Sequence, residues 1–143
     1  MSDSEVKNTG VHLKILFIDN SRTTRTAMSM ILSREGYDVT PIATGQEAIE
    51  KVQAEPFDVV VTDLYMPFMN GHEAAKLIRA LPDPCKDIPI IALTASDDPR
   101  DIEICKNAGM NDFIIKSATM MVDNFINSLI TLRLNNNIAT QPA

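Results

Sequence analysis

The chain has 143 residues, 45% of them hydrophobic and 22% charged, which suits one soluble globular domain and excludes a disordered or fibrous one. A net charge of −6 argues against a nucleic-acid surface, which needs clustered Lys and Arg. No apolar run is long enough to span a bilayer, the acidic residues 1–5 are no signal peptide, and Cys85 and Cys105 are expected as free thiols of a reducing cytoplasm.

Residues 1–11 are polar and expected to be a flexible segment. The run 13–18 reads as a buried strand closing on Asp19. A helix follows from Arg22, with Ser21 as N-cap and Ala27, Met28, Ile31 and Leu32 at helical spacing. Gly36 stops it. Strand two spans 37–42. Thr44-Gly45-Gln46-Glu47 has the form of a capping box, and Ala48, Ile49 and Val52 make the apolar stripe of helix two. Strand three, 57–62, ends at Asp63 and enters the loop Leu64-Tyr65-Met66-Pro67-Phe68-Met69-Asn70-Gly71. Helix three starts near Gly71 and is expected to bury Ala74, Leu77, Ile78 and Leu81. Pro82, Pro84 and Pro89 bound the next loop. Strand four, 88–93, ends at Thr94. Asp98-Pro99 reads as the N-cap and first residue of helix four, which stops at Gly109. Strand five, 112–115, ends at Lys116. A last helix, 118–133, carries Val122, Phe125, Ile126, Leu129 and Leu132 on one face, and 134–143 reads as a disordered tail.

Apolar strands alternating with helices imply an α/β fold, a five-stranded parallel sheet covered on both faces. Right-handed crossovers bring all strand carboxyl ends to one edge. Asp19, Asp63, Thr94 and Lys116 close four of the strands, so two acids, a hydroxyl and an ammonium meet there. Open α/β sheets place their chemistry at that edge. Two crowded carboxylates repel each other unless a cation sits between them.

Over residues 12–133 the chain resembles the receiver domain of two-component response regulators. The resemblance rests on Ile15-Leu16-Phe17-Ile18-Asp19, on Val60-Val61-Thr62-Asp63 with its Met66-Pro67 loop to Gly71, and on Ile90-Ile91-Ala92-Leu93-Thr94-Ala95. Ala108-Gly109 and Phe113-Ile114-Ile115-Lys116 complete it. It implies a flavodoxin-like (βα)5 fold that takes a phosphoryl group from a phosphohistidine onto Asp63, with Mg²⁺. Asp63 would be the nucleophile. Asp19, Asn20, Asp63 and the backbone carbonyl of Tyr65 would hold the metal. Thr94 and Lys116 would each contact a phosphoryl oxygen. Thr94 and Phe113 would switch a surface made by helix four, strand five and the last helix. The implied partners are a histidine kinase or a histidine phosphotransfer protein upstream and another protein downstream, with no nucleic acid and no membrane.

Two positions depart from that family's pattern. Asn20 stands where a second acid is usual, which removes one charge from the metal site. Ser117 follows Lys116 where proline is usual, and a cis bond there would cost about 2.5–4 kcal/mol. His12 and His72 are expected as plain exposed residues, and the methionines as filler or adaptable contact surface. Two other functions use similar ingredients. A small phosphatase of the haloacid-dehalogenase type needs Asp, Mg²⁺, Thr and Lys, but carries Asp-x-Asp where this chain has Asp19-Asn20-Ser21. A pseudo-receiver would bind partners without phosphorylation, and the joint retention of Asp63, Thr94 and Lys116 argues against it. The expected role is a signalling receiver, not an enzyme, that stands alone or, given a further likeness of Arg79–Pro82 and Ile88–Ala95 to receivers of hybrid histidine kinases, serves as a relay component or a domain of a longer protein.

Overall fold

The computed structural model describes residues 13–95, 97–116 and Thr131. The expectations for the N-terminal segment, His12, Ser117, the last helix, the tail and the outer domain boundaries lie outside the described residues. Five strands, β1 (Lys14–Ile18), β2 (Asp38–Ile42), β3 (Val59–Asp63), β4 (Ile90–Thr94) and β5 (Asp112–Ile115), alternate with helices. The helices are α1 (Arg22–Arg34), α2 (Gly45–Ala54), α3 (Gly71–Arg79) and α4 (Pro99–Asn107), with a short 3-10 turn at Cys85–Asp87. The sheet is parallel throughout, in the order β2-β1-β3-β4-β5. The chain therefore steps one way from β1 to β2 and the other way from β1 to β3, and open sheets bind ligands at such a reversal.

Strand alternation builds two cores. Leu16 and Ile18 point to the face of Ala48, Val52, Ala75, Ile78, Cys105 and Ala108, which belong to α2, α3, α4 and its cap. Ile15 and Phe17 point to the opposite face, where Met28 and Leu32 of α1 join Val59, Val61, Ile91 and Leu93. All of these side chains are buried. Each of the larger ones, the Val, Leu, Ile, Phe and Met side chains, contributes about 1.5–3 kcal/mol on burial, so the strand ends stand on a rigid base.

The helix starts follow the chain's own caps. Ser21 Oγ accepts from Thr24 N at 3.3 Å, Thr44 Oγ1 from Glu47 N at 3.1 Å, and an Asp98 carboxylate oxygen from Arg100 N at 2.9 Å. Pro99 follows Asp98 at the helix start. Gly109, at φ 85°, follows the Ala108 cap and turns the chain into β5, a conformation glycine adopts without steric cost.

Three expectations change. Leu77 is exposed rather than buried. The buried arc of α3 runs through Ala74, Ala75 and Ile78, and at about 100° per residue Leu77 falls outside it. Leu81 lies beyond the end of α3 and packs only partly against the core. Ala27 is likewise exposed, because α1 turns Met28 and Leu32 inward.

At the edge opposite the strand carboxyl ends, Arg79 braces three segments. Its guanidinium donates to the carbonyls of Gly109 (2.9 Å), Lys86 (2.9 Å) and Ile88 (2.6 Å) and to Asn111 Oδ1 (2.9 Å). Asn111 Oδ1 also accepts from Ile90 N at 2.8 Å. Arginine's planar fork of five donors suits this task. The edge strand β2 meets β1 through Asp38 N–H to Leu13 O (3.0 Å) and Asp19 N–H to Ile42 O (3.1 Å). Pro41 sits opposite Phe17 in that register.

Candidate functional site

Parallel pairing puts Ile18 beside Thr62, so Asp19 and Asp63, one residue further along each strand, leave the sheet side by side. On the other flank of β3, Asp63 pairs with Leu93, and Thr94 with Ile115. The residue just past β5 is Lys116, whose N–H donates to Thr94 O at 2.7 Å. Sheet register alone thus brings together the four residues that the strand ends had singled out.

Lys116 is the centre of the cluster. Its Nζ donates to Asp19 Oδ2 at 3.2 Å and to Asp63 Oδ2 at 3.3 Å. Asp19 is buried, and the side chain of Asp63 is 15% exposed. One ammonium therefore faces two carboxylates in a poorly solvated place. Burial raises the Asp63 pKa above the ordinary carboxylate value. The Lys116 charge opposes that rise, and the Asp19 charge adds to it.

Each acid is also held by backbone. Asp19 Oδ1 accepts from Ser21 N at 2.8 Å, and the Asp19 carbonyl accepts from Arg25 Nη1 at 2.8 Å. The Thr62 hydroxyl donates to the Asp63 carbonyl at 2.9 Å. The loop after Asp63 is tied at several points. Gly71 N–H donates to Leu64 O (2.8 Å), Met66 N–H to Asn70 Oδ1 (3.1 Å) and Asn70 N–H to Glu73 Oε1 (2.8 Å). Gly71 is required by space: a Cβ there would lie 2.1 Å from the Asp63 carbonyl oxygen.

The donor set fits a small divalent cation. Two carboxylates against one ammonium leave an excess of negative charge at the strand ends. Magnesium is commonly held by one or two carboxylates, with neutral oxygens and water completing six positions. Among the described residues, no three acidic, histidine or cysteine side chains gather as a metal cage. The position next to Asp19 belongs to exposed, uncharged Asn20. No backbone N–H among the described residues donates to the Tyr65 carbonyl.

Beyond the cluster, the Tyr65 hydroxyl donates to buried Asp101 on α4. That pair was not legible in the sequence, where the two residues lie 36 apart. His72, expected to be exposed, is half-buried. Its ring stands edge-on to Tyr65 at 6.4 Å, and its Nδ1 is buried with no partner among the described residues. Phe113 is half-buried against the core of α2, α3 and α4. With Ile102, Cys105 and Met110 it lines a hollow of about 320 Å³.

Comparison with known proteins gives the family and the fold. The response regulator receiver domain family matches residues 15–122. The chain is 35% identical over 105 residues to the CAI-1 autoinducer sensor kinase/phosphatase CqsS of Vibrio cholerae, a match covering 73% of this chain and 15% of that protein. It is 38% identical over 112 residues to the chemotaxis protein CheY1 of Helicobacter pylori, covering 77% of this chain and 90% of that one. Among solved structures, the receiver domain of a sensor histidine kinase from Pseudomonas aeruginosa superposes with a TM-score of 0.76 at 30% identity, covering 85% and 98% of the two chains. That domain was crystallised with a magnesium ion coordinated in its active-site cleft.

Proposed function

This chain belongs to the response regulator receiver domain family, and on that footing we propose that Asp63 is the carboxylate that takes the phosphoryl group. The observation that carries the reading is Lys116 Nζ, within 3.3 Å of both Asp19 and Asp63 at the carboxyl edge of the sheet. A receiver is a signalling module, and the family assignment leaves the haloacid-dehalogenase reading without support.

In the proposed reaction an Asp63 carboxylate oxygen attacks the phosphorus of a phosphohistidine. The new bond is an acyl phosphate; the P–N bond breaks, and the electron pair leaves with the imidazole, which takes up a proton. Phosphoryl transfer asks the protein mainly for positioning and charge stabilisation. Asp63 is aimed by its strand and by the tied loop behind it. Lys116, already poised between the acids, turns toward a phosphoryl oxygen as the group arrives. The Thr94 hydroxyl hydrogen-bonds another. Asp19, Asp63, the Asn20 amide oxygen and the Tyr65 carbonyl are the oxygens that would hold Mg²⁺. Bound there, the cation neutralises charge on the acid and on the incoming group.

Output is proposed to run through α4 and β5. Thr94 ends β4 beside Ile115, and Phe113 lies two residues back on β5, so movement of Thr94 toward a phosphoryl group bears on that strand. A phosphoryl group that is bound better in one of two arrangements shifts their populations. The upstream partner is a histidine kinase or phosphotransfer protein, and the downstream partner a protein that reads the α4–β5 face. No helix among the described residues is long and apolar enough to cross a membrane, and the free thiols of Cys85 and Cys105 fit a cytoplasmic setting.

Acetyl phosphate with Mg²⁺, followed by intact mass, tests the assignment. One added phosphoryl group is expected on the wild type and none on Asp63→Asn. Equal labelling of both would overturn it.

A further inference from the structure

Phe68 is the non-glycine residue with positive φ among the described residues, at 70°, and its side chain is fully exposed at 104%. Met69 N–H donates to Pro67 O at 2.7 Å across it. A bond from residue i+2 to residue i, with φ near +70° between them, marks the rare and strained form of γ-turn. A β-carbon makes that conformation costly, and glycine or asparagine adopts it more readily. The exposed ring recovers nothing by burial inside the fold. Nor is the turn a loose tip, since the loop is fastened at Leu64, Met66 and Asn70. A rigid loop thus presents an aromatic ring to solvent at a cost that the isolated domain does not offset.

Where the ring stands indicates what covers it. Transfer to Asp63 needs the donor's imidazole in bonding distance of a carboxylate that is only 15% exposed, so the donor's surface must close over the loop rim. Phe68 is five residues from Asp63, at most about 18 Å along even a straight chain. An interface of about 800 Å² per partner, drawn as a disc centred on Asp63, has a radius of roughly 16 Å. The tie from Gly71 to Leu64 shortens the real separation, so Phe68 falls inside the footprint. Aromatic side chains in such positions act as anchors when the partner offers a pocket.

We propose that Phe68 is a docking anchor for the phosphohistidine-bearing donor protein, seated in an apolar hollow beside the donor's histidine, and that it sets which donors the chain accepts. The proposal rests on the reading of Asp63 as acceptor.

The test separates small-molecule from protein donors. Wild type, Phe68→Asn and Phe68→Tyr are each labelled with acetyl phosphate and Mg²⁺, and by a panel of purified histidine phosphotransfer domains phosphorylated on histidine. Asparagine is found at positive φ more often than phenylalanine, so that variant is expected to fold and to unfold at a urea concentration no lower than wild type. Acetyl phosphate labelling should stay within about twofold, because that donor docks on nothing. Transfer from the best phosphotransfer domain should fall by about tenfold or more in Phe68→Asn, chiefly in the concentration needed for half-maximal rate, and recover in Phe68→Tyr. Unchanged transfer in Phe68→Asn would overturn the proposal. So would an equal loss with both donors, which would mean that the ring only shapes the loop. Labelling by acetyl phosphate with no transfer from any phosphotransfer domain would also overturn it, leaving Asp63 as acceptor. Wild type labelled by neither donor would overturn the reading of Asp63 itself.

Discussion

The Tyr65 hydroxyl donates to the Asp101 carboxylate, joining the loop behind Asp63 to the first turn of α4. Asp101 is buried, so loss of this donor leaves a poorly solvated carboxylate short of a partner. Tyr65→Phe is therefore expected to lower stability in urea by about 1 kcal/mol. Asp101→Asn keeps an acceptor oxygen and should cost less. The hydrogen bond to Asp101, then burial, raises the Tyr65 pKa above its ordinary 10.0. A folded-state pKa above the unfolded one means that this stability is intact below pH 10 and is lost as pH climbs through the folded value. Absorbance at 295 nm, wild type minus Tyr65→Phe, should show a phenol titrating later than free tyrosine. Titration at the free value would show that the bond does not hold in solution.

Gly71→Ala should be damaging for a purely spatial reason. Its Cβ would lie 2.1 Å from the Asp63 carbonyl oxygen and 3.0 Å from the Thr62 side chain. Backbone must move, and overpacking of this kind costs about 1–3 kcal/mol. The displaced backbone is that of the proposed acceptor, so acetyl phosphate labelling should fall along with the urea midpoint. A variant as stable and as readily labelled as wild type would refute the packing described.

The two cysteines should behave differently. Burial pushes the Cys105 thiol up to about 11, and the nearby Asp101 charge adds to this. Cys85 is half-buried, and its thiol donates to Val52 O at 3.1 Å. The thiolate is the reactive form, so at pH 8 a thiol reagent should modify Cys85 in the native protein and Cys105 only on unfolding. The raised Cys105 pKa contributes stability that is intact below the unfolded value of 9.0 and lost as pH rises through about 11. Rapid modification of both thiols at pH 8 would contradict the burial of Cys105.

Asn20 tests the charge balance of the proposed metal site. Asp19 is fixed by Ser21 N–H and Lys116, while Asn20 is exposed beside it. Asn20→Asp adds a third carboxylate, and ligand charge count tunes the affinity of such sites. Mg²⁺ binding should tighten by about tenfold, measured by calorimetry or NMR titration. Phosphorylation at saturating Mg²⁺ should change less, because the added charge also repels the phosphoryl group. Equal or weaker Mg²⁺ affinity in the variant would place Asn20 away from the metal.

Asp19, Asp63, Thr94 and Lys116 were legible because each ends an apolar run, and a parallel sheet gathers such ends whatever the loops do. The caps at Ser21, Thr44 and Asp98 were legible because a cap acts on its own helix within a few residues. Contacts made across the fold were not. The Tyr65–Asp101 bond and the Arg79 bonds to Gly109 and Asn111 join residues thirty or more positions apart, with no local pattern to announce them. Leu77 misled because hydrophobicity marks a candidate for burial, whereas the arc set by Ala74, Ala75 and Ile78 decides which side of α3 is covered. The turn at Phe68 was hidden because its φ follows from the ties around it, and nothing about phenylalanine calls for it.

The proline in β2 bears on how the molecule meets its own copies. Along a parallel strand successive residues turn both backbone groups to alternate sides. Asp38 and Ile42 bond inward to the chain at β1, so Thr40 faces inward as well, and Val39 and Pro41 face the open side. An incoming strand would find an N–H at Val39 and none at Pro41. Exposed strand edges are templates for stacking, and proline at an outward position blunts them. The edge nearest β1 is thereby closed to propagation by backbone pairing, with the sheet register behind Asp19 left intact.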